Sequence, residues 1–269
     1  MNNPFKTYLF VPATRLDRAS KALDGDADHV IIDLEDAVET WNKDVVRSSL
    51  KEFDKTISQP YWLRINAAHT ADYAHDVAMI QTLDHVAGVL LPKAESALSI
   101  TALHQATNLP IIGVIETAKG VLNIDSMATA TGLMAMTYGC LDLAKSLAMT
   151  LGTPASKAVL DRIRTDLLLH SAVNELNAPI ETIYADFNDD DGVGKFAKFA
   201  KDFGFGGQLV IHPKQIAPIR YATAHDDAMI DFAKAVLDHH EATGEAVFSV
   251  QGKMVDLPVI EWARGVLQR

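Results

Sequence analysis

Acids and one arginine recur immediately after short apolar runs in this sequence, and that placement is where its chemistry begins. One run ends in Asp33-Leu34-Glu35-Asp36 and another in Leu63-Arg64-Ile65-Asn66. Others end in Leu91-Pro92-Lys93, Val114-Ile115-Glu116-Thr117, Tyr138-Gly139-Cys140-Leu141-Asp142 and Ile211-His212-Pro213. Glu116 and Asp142 suit a hard-metal pair, because Mg2+ takes one or two carboxylates and completes its shell with water and substrate oxygens. Each also has a structural alternative, Glu116 as a first-turn acid of a helix and Asp142 as a helix cap. Arg64, with Tyr61-Trp62-Leu63 before it and Ile65 after, is expensive to bury unless paired. It suits a bidentate grip on a substrate carboxylate or the stabilisation of an oxyanion. A structural salt bridge to Glu35 or Asp36 is its alternative.

These residues act together only if the fold brings the run ends to one edge. Eight apolar runs, at 8–11, 30–34, 61–65, 87–91, 111–115, 133–138, 180–184 and 208–211, read as strands. Helical periodicity fills the intervals, for example at 15–23, 43–53, 71–83, 95–106 and 157–176. Runs such as Val30-Ile31-Ile32 are apolar throughout, as parallel strands buried on both faces require. Eight such alternations predict an α/β fold, a closed (β/α)8 TIM barrel over residues 1–223. An open doubly wound sheet is the alternative, weakened because no Gly-rich dinucleotide fingerprint follows the first strand. Residues 224–269 read as a C-terminal helical or lid extension: a helix at 227–240, a Gly-punctuated stretch through Gly252, and an amphipathic helix from Leu257. In such a barrel chemistry sits at the carboxyl ends of the strands, where these polar residues fall.

Composition sets the outer bounds. The 269 residues carry 24 Lys+Arg against 35 Asp+Glu, a formal charge of −11, which argues against a nucleic-acid partner but not against an anionic small ligand. A single cysteine, Cys140, excludes an internal disulfide framework and fits a reducing compartment. The first residues lack the basic-then-apolar build of a signal peptide, and no run approaches the roughly 20 apolar residues of a membrane span. A cytoplasmic protein without a membrane role is the expectation. Several features carry no chemistry: Asp202-Phe203-Gly204 lacks the other kinase motifs, and Asn188-Asp189-Asp190-Asp191-Gly192 reads as the acidic entry to a helix. His239-His240 has no partner at metal spacing, and Cys140 reads as a small packing residue.

Taken as a set, the strand-end segments resemble the citrate lyase β-subunit-like (CitE-like) family of the HpcH/HpaI aldolase superfamily. The segments are Tyr8–Arg15, Ile32–Val38, Leu63–Ala67, Leu90–Glu95, Gly113–Ala118, Tyr138–Leu143, Gly204–Gly207, Ile211–Gln215 and Gly252–Pro258, in order along nearly the whole chain. The resemblance implies a homotrimeric or homohexameric (β/α)8 barrel that uses Mg2+ to make or break a carbon–carbon bond between an acyl-CoA and a 2-oxo acid. It implies Glu116 and Asp142 as metal ligands, with Arg64 and Glu116 touching substrate. Arg64 would stabilise the enolate oxygen, and Glu35 and Asp36 would orient groups or act in acid–base steps. Asp256, which from its position before Leu257-Pro258 also reads as a helix cap, matches an acid often delivered from a neighbouring subunit. The 224–269 extension would pack on that neighbour, and membership of a larger lyase complex is left open. Close alternatives are a CoA-independent 2-oxo acid aldolase, a thioesterase or malate-synthase-like activity, and a non-catalytic binding protein. Two departures stand out: Gln208 where many relatives have lysine, and Leu141 where others carry a second acid.

Overall fold

The computed structural model describes residues 5–224 and 227–268, so the Met1–Pro4 segment read for a targeting signal lies outside it. Eight parallel strands close into a barrel: β1 Lys6–Pro12, β2 His29–Asp33, β3 Tyr61–Arg64, β4 Val86–Leu91, β5 Ile111–Ile115, β6 Leu133–Tyr138, β7 Ile180–Glu181 and β8 Gly207–Val210. They pair in sequence order, and β8 returns to β1 with Lys6 opposite Gly207. The predicted barrel is therefore the observed one.

The barrel helices are α1 Leu16–Leu23, α2 Lys43–Asp54, α3 Asp72–Ile80, α4 Ala97–Thr107, α5 Ala118–Leu122, α6 Ile124–Ala128, α7 Cys140–Ser146, α8 Pro154–Val173, α9 Asp190–Phe203 and α10 Ile216–Thr223. Their starts follow local chemistry. Ser96, Thr117 and Asp189 each accept a backbone N–H as N-caps of α4, α5 and α9, so the acidic Asn188–Gly192 run is a helix entry as expected. Thr153 caps α8 through a capping box with Pro154 as first residue, which starts that helix three residues before the predicted Lys157.

Two apolar layers hold the barrel. The lumen is filled by Tyr8, Ile31, Trp62, Leu90, Ile112 and neighbours, and a Cβ at Gly88 would drive into the Trp62 ring. Alternate strand residues, such as Leu9, Ile32, Leu63 and Val210, pack outward beneath the helices. The expected strand at 180–184 shortens to two residues. The Thr182 N–H turns back to the Glu181 carboxylate (2.9 Å), which ends the strand at the buried acid.

The tail differs from its sequence reading in one respect. After α11 Asp227–Thr243 the Gly-punctuated stretch forms an antiparallel hairpin, β9 Phe248–Val250 and β10 Lys253–Val255, before α12 Leu257–Gln268. Gln251 (φ 51°) and Gly252 (φ 77°) supply the two left-handed residues that a tight two-residue hairpin turn needs. These elements gather around their own apolar cluster of Val236, Phe248, Val255, Ile260 and Ala263. No helix among the described residues is long and apolar enough to cross a membrane.

Candidate active site

The carboxyl ends of the strands enclose a cavity of about 430 Å3. Its charged lining is Arg64 with Asp33, Asp36, Glu116 and Asp142. Register explains the first contact: Asp33, last residue of β2, lies opposite Arg64, last residue of β3. Arg64 Nε and Nη2 donate to the two Asp33 oxygens at 2.7 and 2.6 Å, while Nη1 faces Glu35 at 3.2 Å and Asp36 at 3.9 Å. The guanidinium also lies over the Phe10 ring, 4.9 Å from its centroid. These carboxylates outweigh burial and hold the Arg64 pKa above its ordinary value, so the charge is permanent.

Lys93, just beyond β4, organises the other half. Its ammonium donates to Glu35 (2.6 Å) and lies 3.7 Å from Glu116 and 3.5 Å from Asp142. Its backbone N–H donates to Glu116 Oε1 at 2.7 Å. Lys93 has φ 48°, an uncommon conformation outside glycine that costs energy and concentrates at functional sites. The second Glu116 oxygen rests against Gly139, where a Cβ would sit 2.5 Å from it, so the residue that follows β6 must be glycine for this carboxylate to hold its place.

Burial sets the titration of the acids. Glu116 is 3 % exposed, and its pKa is pushed up to about 7, first by desolvation and then by the charge of Glu35, against the pull of Lys93. Burial likewise raises Glu35 despite Arg64 and Lys93. Because the folded pKa of Glu116 exceeds its ordinary 4.5, the stability it contributes is full below that value and lost as pH rises through about 7. Without divalent cations, the melting temperature is expected to fall as pH rises across that window, and to fall less in Glu116→Gln. Scanning fluorimetry between those limits checks this; an equal fall in both proteins contradicts it.

A buried scaffold fixes these strand ends. Asn66 takes the Lys43 ammonium on its amide oxygen and donates to Asp76 and to the Leu34 carbonyl, and Asp76 also accepts from Arg47 Nε at 2.7 Å. On the opposite wall Glu181, fully buried, accepts from the Tyr138 hydroxyl and from Arg164 Nε (2.8 Å). The Thr182 hydroxyl then accepts the Cys140 N–H at 3.4 Å where α7 begins. Each polar group is buried with a partner, which makes these wall positions specific rather than interchangeable.

The structure thus brings together Arg64, Glu35, Asp36, Glu116 and Asp142. Glu116 precedes the cap of α5 and is not a first-turn acid, whereas Asp142 does lie in the first turn of α7. The Arg64 salt bridge exists, but its bidentate partner is Asp33, which sequence reasoning did not single out; Lys93 was also missed. The signal for both was present, since each is the polar residue that closes an apolar run. Asp256 stays apart: it lines no part of the cavity, and its carboxylate accepts the Val259 N–H (3.4 Å) at the start of α12. Cys140 lines the cavity with its thiol pKa raised by burial, which gives no sign of activation. Gln208 is fully buried on β8 opposite Glu181 and lines no part of the cavity.

A closed (β/α)8 barrel with an acid-rich, two-cation mouth defines the class: a TIM-barrel protein with a candidate cation site at its catalytic end. The chain belongs to the HpcH/HpaI aldolase/citrate lyase family, which it matches over residues 6–213. It is 33% identical over 270 residues to the citrate lyase subunit beta-like protein of Mycobacterium tuberculosis strain H37Rv, covering 97% of this chain and 94% of that one. It is 30% identical over 279 residues to a (3S)-malyl-CoA thioesterase of Cereibacter sphaeroides strain ATCC 17025, covering 99% and 95%. Among solved structures, CitE of M. tuberculosis in complex with magnesium, acetoacetate and coenzyme A superposes with a TM-score of 0.86 at 31% identity, covering 98% of this chain and 97% of that one.

Proposed function

We propose that this protein is a Mg2+-dependent carbon–carbon lyase. It cleaves or forms a 3-hydroxyacyl-CoA of the citryl-, malyl- or citramalyl-CoA type, giving acetyl-CoA or another acyl-CoA and a 2-oxo acid. The observation that carries the reading is the convergence of Glu35, Glu116 and Asp142 on the Lys93 ammonium beside a fixed arginine. The carboxylate oxygens gathered around that ammonium are hard donors of the kind a divalent ion such as Mg2+ takes. An ion held by Glu116 and Asp142 would complete its shell with water and substrate oxygens. The M. tuberculosis complex with magnesium, acetoacetate and coenzyme A supports the same assignment.

Glu116 and Asp142 would hold Mg2+, which when bound supplies Lewis acidity toward the carboxylate end of the substrate. The chain's own groups do the rest. Asp33 locks the Arg64 guanidinium so that it meets the thioester oxygen as enolate charge develops, with no reorganisation at that moment. Glu35, shared between Arg64 and Lys93, is an orienting group. Asp36, 64% exposed at the rim and only 3.9 Å from Arg64 Nη1, is the carboxylate that would take the substrate hydroxyl proton. A second cavity of about 360 Å3 adjoins the first through Phe10, Pro12 and Ile211 and carries Arg18 and Lys21, cations suited to the phosphates of a CoA ester.

Asp256 would protonate or deprotonate the acetyl carbon from a neighbouring subunit of a cytoplasmic homotrimer or homohexamer. Its place outside the cavity and the self-contained cluster of the C-terminal elements support that delivery. Two experiments test the reading. Incubation with malyl-, citramalyl- and citryl-CoA, measuring free CoA, acetyl-CoA and oxo acid separately, is expected to yield acetyl-CoA and oxo acid only with Mg2+. Free CoA without acetyl-CoA would make it a thioesterase, and cleavage of free hydroxy-oxo acids instead would make it an aldolase. Asp256→Ala is expected to lose cleavage yet still bind oxo acid, and co-expression with an inactive but stably folded Glu116→Gln chain should restore activity through mixed sites. No restoration would place Asp256 in its own subunit's chemistry or outside it.

A further inference from the structure

We infer that Glu181, fully buried behind the cavity wall, is a positioning residue for the metal end of the site. It fixes the turn that sets Asp142 against Glu116, and with it the affinity for Mg2+ and the preference for Mg2+ over Ca2+. The inference rests on the reading of Glu116 and Asp142 as metal ligands.

The turn at Tyr138–Asp142 connects the two carboxylates. On the β5 side, the Gly139 N–H donates to the Ile115 carbonyl at 3.0 Å, one residue before Glu116, and Gly139 itself leaves room for the Glu116 carboxylate. Asp142 follows in the first turn of α7. The β7 side has little ladder to rely on. β7 is two residues long and pairs with β6 through Thr137 opposite Ile180, before the turn begins.

Side chains make that connection, and they meet at Glu181. Its Oε1 accepts from the hydroxyl of Tyr138, the last residue of β6, from the Thr182 N–H at 2.9 Å and from Arg164 Nη2 at 3.3 Å. Its Oε2 accepts from Arg164 Nε at 2.8 Å. Thr182 Oγ1 in turn accepts the Cys140 N–H at 3.4 Å. One carboxylate thus governs the residues on both sides of Gly139. Arg164 is itself fixed, by Asp161 at 2.8 Å and by the Tyr138 and Phe199 rings, 5.4 and 5.3 Å from its guanidinium carbon. A buried network with every member engaged holds one geometry and is costly to break.

That geometry bears on the choice of ion. Mg2+ demands a near-ideal octahedral shell at short distances, whereas Ca2+ accepts a larger and more flexible one. A loosened Asp142 therefore weakens Mg2+ more than Ca2+. A mere change of charge nearby weakens both.

Calorimetric titration with MgCl2 and with CaCl2, each in excess pyruvate, tests the inference on the wild type, Tyr138→Phe and Glu181→Gln. Tyr138→Phe keeps the ring and every charge and removes only the hydroxyl, so it decides the matter alone if Glu181→Gln does not fold. Mg2+ affinity is expected to fall about threefold in Tyr138→Phe and about tenfold in Glu181→Gln, with a smaller loss for Ca2+ in each. Leu167→Ala, one turn further along α8 and fully buried, should lower the melting temperature and leave both affinities in place. Unchanged Mg2+ affinity in folded Tyr138→Phe, equal losses for the two ions, or the same loss in Leu167→Ala would overturn the positioning role and leave the lyase reading standing. A wild type that binds no Mg2+ would overturn the metal assignment and this inference together.

Discussion

Glu116→Gln should abolish Mg2+-dependent cleavage while leaving the cation-free protein at least as stable as the wild type. The two halves have one cause. Glu116 is buried, its pKa is pushed up to about 7, and the fold therefore prefers it neutral when no cation is present. Glutamine keeps the shape and the oxygen that accepts the Lys93 N–H, and it removes a buried charge beside Glu35. With Mg2+ the preference reverses, because the ionised carboxylate becomes the ligand. A cation at a hundred times its Kd should add about 2.7 kcal/mol to the wild type, a rise in melting temperature of roughly 5 °C. That rise should disappear in Glu116→Gln, with Mg2+ affinity weakened by more than about 100-fold. Asp142→Asn should behave alike in Mg2+ affinity. Because Asp142 is far more exposed than Glu116, its cation-free stability should hardly change. Retained activity in Glu116→Gln would place the metal elsewhere.

What the sequence made legible divides along a physical line. A run of apolar residues followed by a charge announces both a buried parallel strand and a polar residue at its end, so all eight barrel strands and the residues Arg64, Glu116 and Asp142 could be placed before any coordinates. Pairing between those ends was not legible, because it depends on register. Asp33, and not Glu35 or Asp36, is the bidentate partner of Arg64 because the β2–β3 ladder sets the two opposite each other. Lys93 could not be found as the hub of three carboxylates, since its left-handed backbone brings its N–H to Glu116 and has no sequence signature in a non-glycine residue. The hairpin of β9 and β10 was missed because three-residue strands are too short for alternation to register. Asp256 keeps two readings for another reason: the single chain shows a helix cap, and what it meets in a second copy is a property of an assembly.

Arg64→Lys should lower kcat by about 100- to 1,000-fold, the loss typical of removing one donor to a developing oxyanion, with a much smaller change in oxo acid affinity. Lysine keeps the charge, so the argument concerns geometry. The guanidinium uses Nε and Nη2 on Asp33 and keeps Nη1 toward Glu35, a planar fork that fixes the group before substrate arrives. A lysine ammonium cannot make that fork, and Lys93 already occupies the other side of Glu35. The substituted cation would therefore reorganise as charge develops, which is the term that preorganisation removes. Arg64→Ala is a different perturbation. It leaves Asp33, 5% exposed, as a buried carboxylate without its bidentate partner and removes one of the two cations beside Glu35, and should cost about 3–5 kcal/mol of stability. Asp33→Asn on the wild-type arginine separates the two effects, because it loosens the fork without removing the guanidinium. It should lower kcat less than Arg64→Lys does, and combining the two should cost less than the sum of the single losses. Full additivity would mean that Asp33 stabilises the strand end without positioning Arg64. An Arg64→Lys enzyme with wild-type kcat would remove Arg64 from the enolate step altogether.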